Sequence, residues 1–111
     1  MANQRVRFGV CFNCTNPEPW LRPWEQIYEE VIDQAVAAES MGYDHVWLTE
    51  HHFLENGYCP SLLTVAAAIA ARTSRVKIGT WVLLLPMHNA LRVGGILVFI
   101  SENFRLHVFY F

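Results

Sequence analysis

Glu50, His51 and His52 stand side by side at the end of the apolar run Val46-Trp47-Leu48-Thr49. A carboxylate beside imidazoles is a residue set for proton transfer: imidazole changes charge near neutral pH, and a carboxylate can orient it. Ionisable groups delivered past the carboxyl end of a strand sit where α/β proteins bind ligands. In an extended chain neighbouring side chains alternate, so Glu50 and His52 point opposite to His51 and the three cannot converge. His51 is the candidate acid–base residue, against a loop histidine satisfied by backbone. Glu50 is a candidate supporting carboxylate, and His52 either packs or lines a pocket. His45, inside the apolar run, reads as a structural residue facing a helix, and His88, following the third strand, reads as a surface histidine, with lining the mouth as the alternative.

The thiols offer less. Cys11-Phe12-Asn13-Cys14 has a metal-ligand spacing that Cys59, His51 and His52 could complete. A second paired motif is missing, however, and adjacent histidines rarely bind one ion in an extended chain, so no metal is expected. A reactive cysteine pair wants a helix N-terminus, and Pro17 and Pro19 intervene after Cys14. The three cysteines, an odd number, are expected to be reduced, buried and inert. Trp20, Trp24, Trp47 and Trp81 are expected to build core contacts, Trp81 being the one worth testing. No glycine-rich phosphate loop is present.

A chain of 111 residues holds one domain with a core and not two. A hydrophobic fraction of 53% with 16% charged residues argues against disorder and predicts exposed apolar surface. A formal charge of -2 without a basic cluster excludes nucleic acid and anionic membrane surfaces as partners. The N-terminus lacks a signal-peptide run, and no apolar segment approaches the ~20 residues that cross a bilayer, so a cytoplasmic protein is expected.

The elements that must position these residues follow from periodicity. Arg5 to Asn13 reads as a strand and Asn16-Pro17-Glu18-Pro19 as a loop. Trp24 to Met41 reads as an amphipathic helix burying Ile27, Val31, Ala35 and Ala38, ended by Gly42 in the left-handed conformation. Asp44 to Thr49 is a second strand, Glu50 to Cys59 a loop, and Pro60-Ser61 opens a helix running to Arg72. Arg75 to Leu85 reads as a parallel strand covered on both faces and stopped by Pro86. Strand and helix alternate with connections too long for hairpins, which predicts an α/β fold with right-handed crossovers and a parallel sheet. His88 to Val93 could begin a third helix, but Gly94-Gly95 is expected to break it. Ile96 to Ile100 and Phe104 to Val108 then read as two short strands around Ser101-Glu102-Asn103.

Phe8-Gly9, Met41-Gly42-Tyr43-Asp44 leading into Val46 to Phe53, the alanine-rich second helix, and Val76-Lys77-Ile78-Gly79-Thr80 with Leu84-Leu85-Pro86 together resemble the bacterial luciferase-like flavin-dependent monooxygenases. The resemblance covers roughly residues 5 to 93. It implies the N-terminal fragment of a (β/α)8 TIM barrel, about three parallel strands with crossover helices, as a partial domain over 1–93. Residues 94–111 follow as a divergent, apolar, non-family tail. It further implies reduced FMN as cofactor, a deazaflavin coenzyme being the alternative. Dioxygen and a small organic substrate such as an aldehyde complete the reaction. Carried over by position, His51 matches the catalytic histidine with Glu50 and His52 beside it. Thr80, Trp81 and Val82 match the segment against the flavin ring, where a non-prolyl cis peptide falls at Trp81–Val82.

A typical barrel needs ~250 residues. The chain is therefore expected to be truncated and inactive as it stands. The change of composition at Gly94 fits a changed reading frame, a gene-model error or a shortened paralogue. The alternative reading is a non-catalytic remnant or interaction module, oligomerising or aggregating through open sheet edges.

Overall fold

The computed structural model describes residues 5–104 and 108–109. The elements are β1 (Gly9–Phe12), α1 (Trp24–Ser40), β2 (His45–Leu48), α2 (Leu62–Arg72), β3 (Lys77–Thr80), a 3-10 turn (Leu85–Met87), α3 (Ala90–Phe104) and β4 (Val108–Phe109). The strands form one parallel sheet in the order β1-β2-β3-β4, with Gly9 opposite His45, His45 opposite Lys77, and Ile78 opposite Val108. This is the expected α/β architecture of parallel strands joined by helical crossovers.

Alternation along the strands gives the sheet two faces. Val10, Phe12, Val46, Leu48, Ile78 and Thr80 face the helices, while Gly9, Cys11, His45, Trp47, Lys77 and Gly79 point the other way. The core lies between the first face and the helices, with Leu48, Leu62, Ile69, Ile78 and Ile100 fully buried. Helix α1 contributes Ile27, Val31, Ala35 and Ala38, the stripe its periodicity predicts. It closes with Gly42 at φ +91°, while the Tyr43 N–H reaches back to the Ala38 carbonyl at 3.0 Å.

Two strands are shorter than their sequences predict. β1 starts at Gly9 rather than Arg5, because its only neighbour among the described residues, β2, begins at His45 and offers nothing for Val6 to pair with. β3 stops at Thr80, the partner of the last β2 residue. The apolar segment beyond it leaves the sheet: the Trp81 N–H donates to the Leu48 carbonyl at 2.7 Å, the Trp81–Val82 peptide is cis, and the 3-10 turn follows. Apolar content alone could not separate a buried strand from a buried loop at the strand's mouth.

The larger correction concerns the tail. Ile96 to Ile100 is helix, not strand, and Gly94-Gly95 lies inside α3 without breaking it. Val93, Ile96, Leu97 and Ile100 recur at helical spacing, and they reach the core. Each glycine costs about 1 kcal/mol against alanine, less than burying that apolar face returns. Helix α3 therefore runs across the division expected between residues 93 and 94. Of the second expected tail strand, Phe104 ends the helix, Val108–Phe109 adds to β3, and Leu106 lies outside the described residues.

Candidate functional site

Parallel strands bring their carboxyl ends to one edge, and the residues that follow β2 and β3 meet there. Glu50 is 2% exposed and sits two residues past β2. Its Oε1 accepts hydrogen bonds from His52 Nε2 at 2.8 Å and His88 Nε2 at 2.6 Å, while Oε2 accepts from the Leu84 N–H at 2.7 Å. Burial pushes this carboxyl up. The hydrogen bonds from Leu84, His52 and His88 outweigh that and hold it below its ordinary range. An ionised carboxylate only accepts, so both Nε2 atoms carry the hydrogens of these bonds.

His51 lies apart from this cluster, as alternation requires. Its ring is exposed and stands edge-on to Tyr58 at 4.2 Å. It lines a cleft of 290 Å³ with Trp24, Tyr28 and Phe53. The loop carrying it is tied down by the parallel bridge between Glu50 and Cys59 and by the His51 N–H bonded to the Cys59 carbonyl.

The outer face of the sheet forms the second half of the site. The Trp47 indole lies across it. A Cβ on Gly79 would fall 2.3 Å from that ring, and one on Gly9 would fall 3.0 Å from its Nε1. The His45 ring stacks on Trp47 at 5.8 Å, and Trp81 stands edge-on to it at 6.3 Å. Cys11, Trp47 and Trp81 line a cleft of 330 Å³. Trp81 is 62% exposed and Val82 also reaches solvent, whereas Thr80 is 1% exposed on the helix-facing side. The Thr80 Oγ1 is buried with no hydrogen-bond partner. Thr80, Trp81 and Val82, consecutive in sequence, thus do not make one surface.

The structure brings Glu50 and His52 together and leaves His51 in a different cleft from Trp81. It also adds the Leu84 N–H, which the sequence did not single out, and His88, for which lining the mouth was the lesser alternative. The available signal was position: both follow β3 and therefore share an edge with Glu50. His45 does not face a helix; it stacks on Trp47 on the open face. Among the described residues no group of three or more His, Cys, Asp or Glu side chains is placed to hold a metal ion. No helix among them is long and apolar enough to cross a membrane.

Comparison with known proteins fits this geometry. The family model for luciferase-like monooxygenases matches residues 6–99. The alkanal monooxygenase alpha chain of Photobacterium leiognathi is 34% identical over 91 residues, covering 81% of this chain and 25% of that one. A monooxygenase from Streptomyces bottropensis superposes with a TM-score of 0.83 at 31% identity, covering 95% of this chain and 32% of that one. The oxygenating constituent of 3,6-diketocamphane monooxygenase from Pseudomonas putida, a type II Baeyer–Villiger monooxygenase solved with FMN, superposes at 0.83 and 24% identity. It covers 96% of this chain and 29% of that one, a likeness of fold. The chain spans about a quarter of the length of the curated relatives it matches. With 6–99 matched by the family model, the chain belongs to the luciferase-like monooxygenases.

Proposed function

We propose that this chain furnishes the acid–base groups and part of the ring-binding wall of a flavin-dependent monooxygenase, acting with dioxygen on a small organic substrate such as an aldehyde. The observation that carries the reading is the meeting, at one sheet edge, of a buried carboxylate holding two imidazoles with an open aromatic face. That face suits a planar ring: Trp47 covers glycines whose Cβ atoms would displace it, and Trp81 walls the 330 Å³ cleft beside it. FMN is the proposed cofactor, with a deazaflavin as the alternative that the same wall admits. Reduced flavin, when bound, would supply the electrons that activate dioxygen.

The chain's own residues do the rest. Trp81 and Val82 shield one side of the ring from water, and Thr80 anchors the strand end behind them. His51 would exchange a proton through its imidazole with a substrate that reaches from its own 290 Å³ cleft toward the Trp81 wall. Glu50 fixes His52 and His88 so that their Nδ1 atoms face fixed directions. The reading keeps the cytoplasmic setting. Residues 1–111 alone are expected neither to hold flavin tightly nor to turn over, because catalytic groups need a supporting shell and the matched relatives are far longer.

The test grafts residues 6–99 in place of the matching segment of the Photobacterium leiognathi alkanal monooxygenase alpha chain and measures flavin binding and aldehyde oxygenation. His51→Ala is expected to cut oxygenation at least a hundredfold with flavin binding kept, and Trp81→Ala to weaken flavin binding. Unchanged oxygenation in His51→Ala overturns the assignment. A second reading, a non-catalytic interaction module, draws on the exposed Leu91 and Val98 of α3 and on Val6 and Phe8 before β1. It predicts a concentration-dependent oligomer of the 111-residue chain in sedimentation.

A further inference from the structure

Cysteine spacing in the sequence points to the pair Cys11 and Cys14, but the fold separates them. Cys11 faces the open side of the sheet beside Trp47 and Trp81, whereas Cys14, at φ +50°, turns inward and is 4% exposed. There it joins Cys59, which is 1% exposed, in the same buried cluster. Two backbone links hold the loops in this arrangement. Thr15 bridges Gly57 in antiparallel fashion, and the Asn16 N–H donates to the Asn56 carbonyl at 2.8 Å. Cys59 also lines a cleft of 350 Å³ between α1 and α2, bounded by Tyr28, Ile32, Thr64 and Val65.

We propose that Cys14 and Cys59 form a peroxide-responsive thiol pair that closes to a disulfide between the β1–α1 and β2–α2 loops. The roles of the two sulfurs differ. Cys59 lines the cleft and Cys14 does not; the neighbouring Cys14 thiol and the Ser61 backbone at the start of α2 lower the Cys59 thiol despite its burial. The neighbouring Cys59 sulfur, with burial, raises Cys14. Cys59 as thiolate attacks hydrogen peroxide entering by the cleft; the O–O bond breaks, a sulfenic acid forms and hydroxide leaves. The Cys14 sulfur then displaces the sulfenic hydroxyl, forming the S–S bond, and its proton leaves with that oxygen as water. In sum one peroxide is reduced to two waters and two thiols are oxidised to one disulfide.

The test treats the purified 111-residue chain with hydrogen peroxide in native buffer and in urea, blocks residual thiols, and maps the linkages by mass spectrometry. In native buffer the expected product is about 2 Da lighter, carries the Cys14–Cys59 link and leaves Cys11 alkylated. A dithiol reductant should reverse it. Cys11→Ser should keep the link, and Cys59→Ser should lose it and slow peroxide consumption at least tenfold. In urea the short Cys11–Cys14 link is expected to dominate, since it closes the smallest loop. A native product dominated by Cys11–Cys14, or Cys14 and Cys59 remaining reduced while Cys11 oxidises, would overturn the proposal.

Discussion

Glu39 and Glu50 stand at opposite ends of the same sheet, and each gathers donors from the segment around β3. At the strand beginnings, the Glu39 carboxylate accepts from three successive backbone N–H groups, Ser74 at 3.0 Å, Arg75 at 2.6 Å and Val76 at 2.7 Å. Little there is left over for chemistry, since the close donors are backbone and the Ser74 hydroxyl adds only a contact at 3.5 Å. At the strand ends, Glu50 takes one backbone N–H and two imidazoles, groups that exchange protons. The same side-chain type thus fastens the chain at one end and arranges titratable groups at the other. This is the division of labour between the two faces of a (β/α) barrel. Burial pushes both carboxyls up, and their hydrogen bonds prevail to hold both below the ordinary range.

The largest effect is expected from Glu50→Ala, which leaves a buried N–H and two imidazoles without their acceptor and should cost about 3 kcal/mol. Urea unfolding measures it; a loss of a few tenths would mean the cluster does not hold the strand ends together. Gly79→Ala should cost about 2 kcal/mol, since its Cβ can be placed only by lifting the Trp47 indole off the face. Tryptophan fluorescence should shift with it.

Glu39→Ala should cost about 1 kcal/mol, because two of the three backbone donors it caps belong to the exposed Ser74 and Arg75 and can be rehydrated, while only Val76 is buried. The contrast sharpens with pH. Each glutamate's folded pKa lies below its unfolded one, so its contribution is complete above about pH 4.3 and is lost as pH falls through the folded values. Acid titration of stability should flatten in part in Glu39→Gln and in part in Glu50→Gln, and an unchanged acid limb in both would refute the shifts. The smallest effect belongs to neither end: Gly94→Ala meets open space inside α3 and should stabilise by about 0.5 to 1 kcal/mol. Destabilisation there would argue against a continuous helix.

What was legible in the sequence was whatever a single element decides by itself. The α1 stripe, its glycine stop and the order of strands and helices need only local periodicity, and they hold. So does the separation of His51 from Glu50 and His52, which follows from alternation. Illegible were features set by a neighbour. The β3 end depends on where β2 stops, the helical state of Ile96 to Ile100 depends on the core that α3 reaches, and the joining of His88 to Glu50 depends on a turn after the strand. The cysteines show the same limit, since spacing favours Cys11 with Cys14 while loop pairing delivers Cys14 to Cys59.

Trp47, lying across Gly9 and Gly79, makes three residues on three strands share one allowance of volume. As such a sequence diverges, the residue tolerated at position 79 is decided by the one on the strand beside it. Alanine there is admissible once Trp47 has become leucine and inadmissible before. Drift at these sites therefore has a direction: the tryptophan shrinks first and the glycines grow afterwards. Any path that reverses the order passes through a chain whose open face has lost its floor.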